Sequence, residues 1–206
     1  MRRTLWERPI SRVVYEGKPY RLRTAFRRVL QCYQVMGDDV LDDGDKIGMC
    51  LGLLLRPVSH LRAARLPAAK KIRLFETIFQ EYVDTGGKKA GGEKALDFDQ
   101  DAGLIYAAFA QCYGLDLLGR DRGLHWWKFA QLLGGLPEDT RLMQVISIRT
   151  RPLPKPTKYN VEERQNLLRL KGLYRLEDSE EEKRRRLQDG LRKMAVIMEG
   201  MAREKN

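Results

Sequence analysis

Histidine is nearly missing: His60 and His125 are the only two in 206 residues. With no cysteine near His125, neither a metal set nor a nucleophile–base pair is visible, and catalysis is not the expected function. Cysteine is almost as scarce. Cys32, Cys50 and Cys112 are odd in number, widely spaced and set in helical patterns. They are expected to be reduced, buried thiols in a cytoplasm rather than a disulfide framework or a metal site. Long apolar runs are missing too. The longest, Ile47–Leu55, falls well short of the roughly 20 residues that cross a bilayer, so no membrane span is expected. The opening MRRTLWERP has no apolar stretch behind its basic residues, and so is no secretory signal.

Cofactor motifs fail at their defining positions. Gly86–Gly92, GGKKAGG, lacks the Gly-Lys-Ser/Thr of a phosphate loop and has no strand-like run before it. Residues 84–94 are expected to be a flexible connector. Asp97, Asp99 and Asp101 open like a calcium loop, but the sixth position is Ala102 and the twelfth Ala108. Asp39, Asp43 and Gly44 fail in the same way. The three aspartates read as acids at a helix start, where the backbone favours negative charge. No metal and no cofactor are expected.

What the chain has is charge and helical periodicity. Hydrophobic content is 43%, charged content 33% and net charge +11, values of a folded, charge-coated protein. The charge is unevenly spread: residues 1–74 carry +9, residues 75–140 carry −5 and residues 141–206 carry +7. The two basic arms could contact an acidic macromolecule, nucleic acid included, or pack around the acidic centre.

Residues 10–15 and 20–23 flank Glu16-Gly17-Lys18-Pro19 and predict a small hairpin. Thr24 is expected to cap a helix through Met36, with Phe26, Val29, Leu30 and Tyr33 on one face. A second helix is expected over 45–55, stopped by Pro57, and a third over 68–83, presenting Ile72, Phe75, Ile78, Phe79 and Tyr82. Leu104, Ile105, Ala108, Phe109 and Cys112 mark the next. Trp126, Phe129, Ala130 and Leu133 mark another, with Gly114 and Gly123 between. His125 reads as a core or helix-start residue. Trp126 is expected to anchor the core, and Trp127, about 100° around the helix, to be partly exposed or packed on a neighbour. Pro137 and Asp139 begin a further helix to Ile148. The fold class is mainly α, with an N-terminal hairpin and a C-terminal helical extension.

Three regions follow: a helical body at 1–150, a stiff proline-rich linker at 151–158, and a helical pair at 159–206. Asn160 and Glu163 are expected to cap the first helix of the pair, which carries Leu167, Leu170 and Tyr174. Ser179 and Glu182 form a capping box for the last, where Glu180–Glu182 face Arg184–Arg186 at four-residue spacing. Its apolar side, Leu187, Leu191, Met194, Met198 and Met201, is a short heptad-type seam. That seam either folds back on the body or offers adaptable thioethers to a partner helix. With Trp127, it forms the candidate partner-binding set.

The centre of the chain resembles a known family. Its pattern is Asp99, Asp101, Ile105, Tyr106, Ala107, Ala108, Phe109, Gln111, Tyr113, Gly114, Asp116 and Leu117. His125, Trp126, Phe129, Leu132, Leu133, Leu136 and an Ile148-Arg149 pair follow. Tyr20 and Phe26-Arg27 upstream, and Lys171, Tyr174 and Leu176 downstream, extend the match to roughly residues 10–176. The pattern is similar to the bacteriophage family named after gene product fifteen of a Gram-positive siphophage. The resemblance implies a tail assembly chaperone, a small helical protein encoded beside the tape measure gene that assists tail building. The mechanism expected is reversible binding that shields the amphipathic helices of the tape measure protein until tail tube subunits replace them. The resemblance brings no catalytic residues, and it implies action in the host cytoplasm and absence from the mature virion. Residues 1–28, with nine Lys/Arg against two Asp/Glu beside Trp6, Tyr15 and Tyr20, support a second expectation, a basic nucleic-acid-binding protein.

Overall fold

The computed structural model describes residues 9–83 and 95–177. The expected connector at 84–94, the capping box at Ser179 and the Leu187–Met201 seam lie outside the described residues. The chain divides into two compact units, 1–174 and 175–206, and every element below belongs to the first. Its described residues form a two-stranded antiparallel hairpin and eight α-helices, which makes the protein mainly α.

The hairpin pairs β1 (Arg12–Tyr15) with β2 (Lys18–Arg21) across Glu16-Gly17. Both turn residues have positive φ, 47° and 71°, the backbone that matches the strand twist in a two-residue loop. The turn is therefore two residues shorter than expected. Lys18 and Pro19 belong to the strand, where Pro19 faces Val14. Val13 and Tyr20 point inward as a cross-strand pair and are almost fully buried.

Helix α1 (Phe26–Met36) follows, but Thr24 does not cap it. The start is held by a long-range contact: the Phe26 amide donates to the Leu124 carbonyl at 2.8 Å, and the Trp126 amide donates to the Thr24 carbonyl at 2.8 Å. Backbone from the middle of the chain thus does the work expected of a local side chain. Helix α2 (Asp43–Leu54) is capped by Asp42, whose carboxylate accepts from the Asp45 amide. Pro57 does not merely end it. Proline lacks the N–H that a first helical turn leaves unpaired, and here it opens a further short helix, α3 (Pro57–Ala64).

Helix α4 (Ala68–Ile78) runs into a π-helical turn, Phe79–Val83. The wider turn re-aims the end of the helix, placing both Tyr82 and Val83 in the core. The buried stripe is Leu74, Phe75, Ile78 and Tyr82; Ile72, expected within it, is 42% exposed. Helix α5 (Ala102–Tyr113) ends at Gly114, which has φ +61° and closes the helix in the left-handed region. Helix α6 (Trp126–Gly134) starts at His125. Helix α7 (Arg141–Thr150) is capped by Thr140 rather than opened at Pro137 or Asp139. Residues 152–157 have no regular structure. Helix α8 (Val161–Leu173) packs on α7. The Asn160 side chain does not cap α8. It turns back, accepting from the Thr157 amide and donating to the Lys155 carbonyl.

Of the three cysteines, Cys32 and Cys50 are buried, while Cys112 is exposed, contrary to expectation. The two buried thiols face each other's helices, each sulfur within 3.9 Å of the other residue's carbonyl oxygen. The hydrogen bond with Cys50, reinforced by burial, pushes the Cys32 thiol well above its usual range. A chromogenic disulfide reagent is therefore expected to modify one thiol in the native protein, Cys112, and three in denaturant. Three thiols reacting equally fast in the native state would contradict this packing.

Candidate partner-binding surfaces

The residues that carried the resemblance converge on two structural centres. Asp101, at the start of α5, is almost fully buried, and Arg149 near the end of α7 meets it in a fork, Nη1 to Oδ2 at 2.7 Å and Nη2 to Oδ1 at 2.8 Å. The same guanidinium donates to the Ala95 carbonyl at 3.1 Å and the Tyr174 carbonyl at 2.6 Å, and Lys171 Nζ donates to the Arg149 carbonyl at 2.7 Å. Arg141 lies over the Tyr174 ring and donates to its hydroxyl. Asp101, Arg149, Lys171 and Tyr174, scattered through the chain, thus clamp α5, α7 and α8 together. The arrangement has no calcium geometry, because Arg149 neutralises the carboxylate a cation would need. Asp97 accepts from the Asp99 and Gln100 amides, and Asp99 accepts from Gln34 Nε2 at 2.8 Å.

The second centre is aromatic. Phe129 stacks on Phe26 (centroids 4.5 Å apart), on Phe109 (5.1 Å) and on Trp126 (5.8 Å). The Trp126 indole donates to the Val83 carbonyl at 2.9 Å, locking α6 to the π-helical turn. His125 Nδ1 accepts from the Trp127 amide while Nε2 lies 3.0 Å from the Ile10 carbonyl. That geometry leaves the proton on Nε2, so the imidazole ties α6 to the segment before β1. The Tyr113 hydroxyl donates to the Leu132 carbonyl at 2.8 Å, and burial pushes the phenol above its usual range. Asp116 accepts from the Leu118 and Gly119 amides, ordering the loop toward α6. These hydrogen bonds and ring contacts of the motif side chains are made within the fold.

Two surface features were not legible beforehand. One is an apolar groove of about 390 Å³ between α1 and the α4–π-turn segment, lined by Tyr33, Met36, Phe75, Glu76, Phe79 and Gln80. Tyr33, expected on the buried face of α1, is 40% exposed, and Met36 is 39% exposed. The Tyr33 ring stacks on Phe98 at 6.0 Å and meets Phe79 edge-on at 6.1 Å, so the groove floor continues into the aromatic core. The other is a basic concavity between the hairpin and α3. The only hint of the first was the Tyr33–Met36 spacing, and the second needed α3 itself. Trp127 is half-buried at the start of α6 and lines neither.

Among the described residues, no group of three or more His, Cys, Asp or Glu side chains is placed to hold a metal ion, and no helix is long and apolar enough to cross a membrane. No curated protein matches the chain. No solved structure matches it either. A family profile does: the one described as Bacteriophage Gp15 protein matches residues 7–176, which takes in every described element and both centres. The chain belongs to the Bacteriophage Gp15 protein family.

Proposed function

We propose that the protein is a non-catalytic tail assembly chaperone that holds amphipathic helices of the tape measure protein while tail tube subunits assemble. The family places the chain in a phage. The observation that supports the finer reading is the groove over Tyr33, Met36, Phe75 and Phe79. Its walls are aromatic and thioether side chains, which adapt to varied apolar partners, and Glu76 and Gln80 give it a polar edge. An amphipathic helix laid in such a groove buries its apolar stripe and keeps its polar face in water. Contacts of this kind are numerous and individually moderate, so they release when a competing surface arrives. The Leu187–Met201 stripe and Trp127 are proposed as further contacts. The setting is the host cytoplasm, and the chaperone leaves before the virion matures.

Co-expression with the tape measure protein tests this. The expected result is a soluble complex by size-exclusion chromatography, with the tape measure protein insoluble alone. Met36→Glu places a charge in the groove and is expected to weaken capture about tenfold or more without lowering the melting temperature. Deleting residues 177–206 measures the share of the terminal stripe. A tape measure protein that forms no complex with the intact chain would end the chaperone reading.

A further inference from the structure

Helix α3 turns two different faces to its surroundings. Its inner face is made of small residues, with Ser59 and Ala63 buried and Ser59 Oγ accepting from the Arg21 amide at 2.9 Å. Its outer face carries Val58, Leu61, Arg62 and Arg65, the spacing of an apolar stripe that normally faces a core. Here the stripe faces solvent: Val58 is 72% and Leu61 63% exposed. Together with Tyr15, Lys18 and Leu66 it borders a concavity of about 490 Å³.

Three cations, Lys18, Arg62 and Arg65, line this concavity against one carboxylate, Glu16. Residues 46–75 contain seven Lys/Arg and no Asp or Glu. The carboxylate at the rim is that of Glu16, and it is paired with Lys70 at 2.9 Å. Arg62 is fixed in place, with its guanidinium 5.7 Å from the Tyr20 ring centroid and donating to the Pro19 carbonyl.

We propose that the hairpin–α3 concavity docks an acidic amphipathic helix of a partner protein, its aliphatic stripe on Val58 and Leu61 and its carboxylates against Lys18, Arg62 and Arg65. The exposed aliphatic side chains Val58 and Leu61 favour a protein helix over single-stranded nucleic acid, which stacks its bases on exposed aromatic rings. Of the two tyrosines lining the concavity, Tyr20 is buried beneath Arg62 and Tyr15 is half-buried. The charged rim sets orientation and encounter rate while the aliphatic centre supplies contact area. The surface is separate from the α1–α4 groove, and the inference does not rest on the chaperone reading.

The test uses the full chain and a fluorescent helical peptide about five turns long, with Leu at helical spacing and Glu on both shoulders. Anisotropy is expected to report saturable binding that weakens as salt is raised. Val58→Ser with Leu61→Ser, and separately Lys18→Glu with Arg65→Glu, are each expected to weaken it about tenfold or more. Both pairs lie on exposed positions, and unchanged melting temperatures confirm that the variants fold. A peptide with Lys on its shoulders is expected not to bind. Absence of binding by the Glu peptide, or binding that both variant pairs leave unchanged, overturns the proposal. Duplex DNA bound in a way that Lys18→Glu/Arg65→Glu abolishes and Val58→Ser/Leu61→Ser does not would also overturn it, and would assign the face to nucleic acid.

Discussion

Arg149→Leu is expected to destabilise the folded protein by about 3–5 kcal/mol, the usual cost of leaving one member of a buried ion pair alone. Four acceptor contacts disappear together: both Asp101 oxygens and the carbonyls of Ala95 and Tyr174. The Asp101 carboxylate, 2% exposed, then has no cation beside it and little water. A protein of this size loses roughly 2–4 °C of melting temperature per kcal/mol, so a drop on the order of ten degrees is expected in thermal unfolding followed by circular dichroism. The sharper measurement is the double variant. With Asp101→Leu added, no charge remains stranded, and part of the loss is expected to return. If Arg149→Leu costs under about 1 kcal/mol, the pair behaves as a surface bridge, and its place as the clamp of α5, α7 and α8 is lost.

That clamp also shows what could and could not be seen from the residues alone. Asp101, Arg149, Lys171 and Tyr174 all stood out by resemblance, but nothing in a linear pattern said that they meet. Periodicity located the helices because burial of one face is a local regularity, and it placed Phe75, Ile78, Phe109, Trp126 and Phe129 inside, where they are found. Local rules failed where a distant segment supplied what a neighbour was expected to supply. Thr24 looked like a cap, and the Leu124 carbonyl made one unnecessary. Asn160 also looked like a cap, but there a competing local turn won: its side chain bonds back to the Thr157 amide and the Lys155 carbonyl. Pro57 read as a stop because a helix end and a helix start leave the same mark when two helices abut. The two surface features depend on which helices are neighbours, and so needed the fold. The apolar groove exists because Tyr33 and Phe79 come together from α1 and the π-helical turn.

Phe129→Ala is expected to cost about 3–5 kcal/mol, the range for emptying a large aromatic site in a close-packed core. The ring is 1% exposed and stacks on three others, Phe26, Phe109 and Trp126. Each such pair adds roughly 0.5–1.5 kcal/mol beyond the area buried. Phe129→Leu keeps most of the volume but none of the stacking, and is expected to fall well short of the alanine loss. Tyr159→Ala, at a side chain 98% exposed, is the control and is expected to stay within about 0.5 kcal/mol. Urea unfolding of the three variants checks the order. The consequence reaches the surface, because Trp126 and Phe98 lie between Phe129 and Tyr33, and Tyr33 forms a wall of the groove. Phe129→Ala is therefore expected to lower stability and partner capture together, whereas Met36→Glu lowers capture alone. Full capture by a folded but weakened Phe129→Ala protein would mean that the groove holds its shape without the stack beneath it, and would move the binding surface elsewhere.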